Sequence, residues 1–151
     1  MKALTQLLFA LLAVIALQPW SSAFAADAAG TIKTSRGDAH ILRNDTRLPA
    51  QVGSTLSTSD RIITGATGAV GITLKDNTRL TAGPNTTLDL NTFRFDKTTH
   101  KGALDATVQR GSLAVISGKI AKASPDGVQF HTPTVTLGVR GTEFIIEAGV
   151  Q

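Results

Sequence analysis

The residues able to do chemistry are few and dispersed. His40, His100 and His131 lie far apart, without the short spacings by which one element offers two ligands to a metal. Each reads as a surface or loop histidine. The chain has no cysteine, which removes thiol nucleophiles and disulfides. No serine stands in a nucleophile-elbow pattern. Asp60, Asp76, Asp89, Asp105 and Glu143 are the carboxylates from which a glycosidase-like pair could be drawn, but their order does not show which of them meet. Asp60 and Asp76 sit in polar clusters, Ser57 to Asp60 and Lys75 to Thr78, where a carboxylate ordinarily accepts from turn backbone. Gly65, Gly68 and Gly71 resemble a phosphate cradle only superficially, because no lysine follows and no helix opens there. No catalytic, cofactor or metal site is predicted, and the chain is read as a non-enzyme.

The stretch with the most organised pattern is Thr132 to Ile146. Leu137 and Val139 alternate at the period of a strand, and Phe144 and Ile146 resume that alternation one residue out of phase. The switch falls at Arg140 and Gly141. Glycine suits a change of phase, because it can take backbone angles that re-aim the next strand. With the apolar face inward on both sides, Arg140 and Glu143 share the opposite face and are expected to pair across the corner. Gly138, Arg140, Gly141, Thr142, Glu143 and Phe144 are therefore the candidate residues, as a structural corner and a partner contact.

The rest of the chain must supply the layers that hold this corner. Short segments rich in Thr, Val and Ile recur from Ala28 onward, each closed by Gly, Pro, Asn or Asp. Segments 30–34 and 38–43 flank a tight turn and read as a hairpin. Val70, Ile72 and Leu74 mark a strand that returns as 79–81. Leu88 and Leu90 lie in one phase and Phe93 and Phe95 in the other, which predicts a kink near Asn91 and Thr92. A polar loop is expected at 97–102, a turn at Arg110 and Gly111, and a short helical turn over 119–122. The fold class is all-β: a twisted solenoid-like body, or a roll or sandwich, of short strands. The repeated phase switches favour a solenoid.

Residues 1–25 form a separate signal. Lys2, the apolar run Leu7 to Leu17, Pro19 and Ala23-Phe24-Ala25 have the order of a cleavable signal peptide, with the cut after Ala25. The run is too short for a membrane span. The domain is then 26–151, periplasmic or secreted, with no stable membrane span after cleavage. Without Trp, Tyr or Cys beyond the leader, its core must be built from aliphatic residues and Phe93, Phe95, Phe130 and Phe144. The formal charge of +4 comes from scattered residues with no basic stripe, which excludes a nucleic-acid surface. A chain whose last strand is apolar leaves an exposed edge, so a homodimer through that strand is expected.

These residues resemble the FecR family of periplasmic domains. The resemblance rests on Thr132-Pro133 and Gly138-Val139-Arg140-Gly141-Thr142-Glu143-Phe144. It is supported in order by Val52-Gly53, 60–65, 74–77, 83–85 and 111–115, and covers about residues 30–147. It implies an all-β domain outside the inner membrane that binds an envelope protein partner in cell-surface signalling. Binding of cell-envelope polysaccharide or peptidoglycan is the alternative, though carbohydrate sites usually use Trp or Tyr platforms, and neither residue occurs beyond the leader.

Overall fold

The computed structural model describes residues 27–149, so the expected leader at 1–25, its expected cleavage point and the last two residues lie outside the described part. Twelve strands follow in chain order: β1 (Gly30–Arg36), β2 (Ala39–Arg43), β3 (Thr46–Pro49), β4 (Thr55–Leu56), β5 (Arg61–Thr64), β6 (Ala69–Leu74), β7 (Arg79–Ala82), β8 (Thr87–Phe95), β9 (Gly102–Ile116), β10 (Val128–His131), β11 (Thr136–Gly138) and β12 (Glu143–Ala148). One helix, α1 (Lys119–Ala123), and a 3-10 turn at Pro125–Gly127 join β9 to β10. The strands make one curled, half-barrel sheet with two arms that share β9.

The second half of β9 lies between β12 and β7, and that arm continues through β6 and β1 to β4. Its first half lies between β10 and β8, in an arm running from β11 through β5 and β2 to β3. Ile32, Ile72 and Leu80 from one arm and Ile41, Ile62 and Leu88 from the other belong to a single buried cluster. Alternating aliphatic positions on both arms thus face one interior, as period-two patterning requires.

Of the two phase switches in the sequence, that at Arg140 and Gly141 lies where the chain crosses between arms, and that at Asn91 and Thr92 is an irregularity within β8. Four crossings stack: Gly37-Asp38, Gly65 to Gly68, Gly83 to Thr86, and the bend in β9 at Gly111. Gly65 N–H donates to the Asp38 carbonyl, Asn85 N–H to the Gly65 carbonyl, and Gly83 N–H to the Ser112 carbonyl, at 2.9 to 3.0 Å. Gly111 has φ of 87°. A Cβ there would fall 2.4 Å from Thr86 Oγ1 and 2.5 Å from Thr86 Cα. The buried Thr86 hydroxyl fills the bend, accepting from Ser112 N–H at 3.0 Å and lying 3.1 Å from the Ser112 carbonyl.

Three expectations need correction. Strands β1 and β2 do not pair with each other but lie in different arms, because the tight turn at Gly37 carries the chain across rather than back. Arg110-Gly111 bends one continuous strand instead of ending it. The corners do stack as a solenoid's would, but only β9 and β10 pair in parallel among the described strands, and the other pairings are antiparallel. The β6–β7 return, the irregularity between Leu90 and Thr92 and the helical turn at 119–123 are where the sequence predicts them.

Candidate functional site

The chain from β10 onward builds the face on which the candidate residues lie. Thr132 turns β10 into β11: its hydroxyl accepts from Val135 N–H at 3.1 Å, and its own N–H donates to the Val135 carbonyl at 2.8 Å. Among the described strands β11 pairs only with β10, and all three of its residues are exposed. The chain then leaves one arm for the other. Val139 N–H reaches the Val128 carbonyl at 3.3 Å, and Ser117 N–H donates to the Thr142 carbonyl at 2.8 Å. Residues 139–142 therefore bridge the two arms and deliver β12 to the second half of β9, with Glu143 opposite Ile116 and Ala148 opposite Gly111.

Within this bridge the candidate residues divide into two kinds. Val139 is buried, and Phe144 packs edge-to-face on fully buried Phe130, with ring centroids 5.6 Å apart. That contact joins β10 of one arm to β12 of the other. Arg140 is 81% exposed, and its guanidinium lies 3.8 Å from Asp126, itself 96% exposed. The expected Arg140–Glu143 pair is not formed; the bridge turns Arg140 toward the 3-10 turn while Glu143 is already in register with Ile116. Leu137 also departs from expectation, being exposed on β11. Gly138 and Gly141 have no positive φ, and a Cβ at either would meet nothing within 4 Å, so the corner does not depend on their lacking a side chain. Arg140, Gly141 and Thr142 instead border a shallow depression of about 600 Å³ against Ala121, Lys122 and Pro125.

Beyond the bridge, β12 ends its arm. It pairs with β9 on one side and with no described strand on the other. Phe144, Ile146 and Ala148 face the interior, while Glu143, Ile145 and Glu147 face out. Ile145 is 69% exposed, the most exposed large apolar residue described. The sequence carried this signal in the phase of Phe144 and Ile146, which places Ile145 outside.

The remaining polar candidates are held by structural partners. The buried Asp60 carboxylate accepts two hydrogen bonds from Arg43 at 2.7 Å and one from Ser57 N–H at 2.8 Å. These bonds hold the Arg43 proton more firmly than usual. The fully buried Asp76 carboxylate accepts from Thr78 N–H and hydroxyl at 3.0 and 2.7 Å and from Ile120 N–H at 3.3 Å, tying the β6–β7 turn to α1. Both are turn acceptors, as their clusters predict. Burial pushes the Asp89 carboxyl up, but hydrogen bonds from Arg61 and Gln109 and the Arg61 charge outweigh it, leaving it below its ordinary value. His100 stacks on Phe95.

One constellation was not legible in the sequence. His131 Nε2 lies 2.9 Å from Asp105 Oδ2, and its Nδ1 lies 3.0 Å from the Thr136 hydroxyl. An acid, an imidazole and a hydroxyl thus stand in line. They are brought together by the parallel register of β10 on β9, which places His131 opposite Thr107, and by the β10–β11 pairing. Neither relation has a sequence signal. The line lies on the outer face of the arm, where it fastens the exposed β11 to β9. Among the described residues no group of three metal-ligating side chains is found, and no helix is long and apolar enough to cross a membrane.

Residues 60–151, more than half of the chain, match the family model described as FecR protein. No curated protein and no solved structure matches the chain.

Proposed function

The chain belongs to the FecR protein family, and on that premise we propose that it is a non-catalytic, protein-binding module of the bacterial cell envelope, periplasmic or secreted, that takes part in envelope signalling. Its partner adds a strand to the free edge of β12. The observation that carries this reading is the one-sided pairing of β12 beside the exposed Ile145. An open edge presents a row of main-chain donors and acceptors, and a flanking apolar side chain gives an added strand something to cover. Phe144, gripped by Phe130, fixes where that edge stands.

The Asp105–His131–Thr136 line favours a second, hydrolytic reading. A hydroxyl nucleophile also needs donors poised for the developing oxyanion and a space for substrate. The depression at Arg140, Gly141 and Thr142 borders neither His131 nor Thr136, so the line is taken as a fastening.

The test is retention of an envelope protein, in one-to-one ratio, by the tagged chain and its loss on Ile145→Asp, with purified cell-wall polymer run in parallel. Retention on polymer that ignores Ile145→Asp would replace this reading with the polysaccharide one. Turnover of an ester or glycoside lost on His131→Ala would replace it with the hydrolytic one.

A further inference from the structure

We infer that the strand accepted by β12 is a basic one: a segment with a cationic residue at each end of a short apolar run, at positions i and i+4. The inference rests on the strand-addition reading above and names the chemistry of the partner.

Glu143, Ile145 and Glu147 project from the outer face of β12, with both carboxylate residues exposed. Among the described residues neither glutamate makes an ion pair. Arg79 lies in the same cross-strand row as Glu143, but Ile116 on β9 stands between them. Arg110 borders the same depression as Glu147 but donates to the Thr87 hydroxyl at 3.3 Å instead, so the edge keeps two carboxylates outside any described ion pair on a chain of formal charge +4.

A strand laid beside β12 would place alternate side chains against Glu143, Ile145 and Glu147, and the intervening ones against Phe144 and Ile146 on the interior face. The first set calls for cation, apolar, cation; the second for two apolar residues that extend the core. A second copy of β12 meets the opposite situation. The antiparallel register that stacks Ile145 on its own copy sets Glu143 against Glu147 at both ends, and like charges directly opposite are destabilising. The same two glutamates thus disfavour self-pairing and select a cationic strand.

The test uses a fluorescent peptide with two lysines four residues apart, bracketing three β-branched residues, and the same peptide with both lysines replaced by glutamate. Anisotropy titration against the full chain should show the lysine peptide binding about tenfold tighter or more, as two cross-strand charge pairs imply. Ile145→Asp should abolish its binding, and added salt should narrow the preference. The double variant E143K/E147K should invert it. Should that variant not fold by circular dichroism, E143Q/E147Q should bring the two peptides to near parity. Equal binding of both peptides to the unchanged protein, lost on Ile145→Asp, would overturn the charge rule and leave strand addition standing. No binding of either peptide would overturn both.

Discussion

Truncating Phe144 and truncating Arg140 should have very different effects on stability, although the two residues are four apart in one motif. Phe144 is partly buried and stands edge-to-face on Phe130 across the two arms. Phe→Ala in a full core costs about 3–5 kcal/mol, so a half-buried ring should lose roughly 2 kcal/mol. The aromatic pair adds about 0.5–1 kcal/mol. A domain of this size loses about 4 °C per kcal/mol, which sets the fall in melting temperature for Phe144→Ala at about 10 °C. Arg140 reaches only the exposed Asp126 at 3.8 Å. Exposed pairs of this kind contribute about 0.5 kcal/mol or less, so Arg140→Ala should move the melting temperature by about 2 °C at most. Thermal unfolding followed by circular dichroism, with urea titration as a second measure, decides between them. Equal losses in the two variants would refute the reasoning and restore Arg140 as a structural corner.

Asp76→Ala leaves the Thr78 and Ile120 N–H groups without their buried acceptor and should cost about 3 kcal/mol or more, measured by urea midpoint. Gly111→Ala forces a side chain onto Thr86 at a positive φ and should cost about 2 kcal/mol or more by the same measurement. The Asp89 carboxyl is lowered in the folded state, so the unfolded chain takes up its proton first as pH falls. The stability it contributes is complete above about pH 4, near the ordinary carboxylate value, and is lost as pH falls through the folded value. Arg61→Ala should flatten the decline of the urea midpoint below about pH 4; an unchanged slope would contradict the assignment.

Local chemistry was legible in the sequence, and relations between distant strands were not. The two-residue period of Val70, Ile72 and Leu74 fixed both the strand and its buried face. The turn clusters around Asp60 and Asp76 announced carboxylates bound to backbone, because that signal is confined to neighbouring residues. A phase switch leaves the same trace whether it is an irregularity within one strand, as at Asn91 and Thr92, or a crossing between two arms, as at Arg140 and Gly141. Gly37 illustrates the limit: a tight turn between two strands reads as a hairpin whether the chain reverses or passes to the other arm. The Arg140–Glu143 pair failed for a similar reason. Shared facing within one strand pattern does not hold once residues 139–142 leave the sheet. His131 meets Asp105 only through a parallel register 26 residues away, which no local pattern specifies.

Hydrogen exchange over residues 143–148, with and without the captured partner, measures strand addition at the edge itself. β12 has one row of amides turned toward β9 and one turned away, and the outward row should exchange quickly in the free chain. The account predicts that these amides become slow when the partner is added, with little change around the exposed Val52 on the β3–β4 connection. Protection that appears elsewhere while 143–148 exchange as before would contradict it.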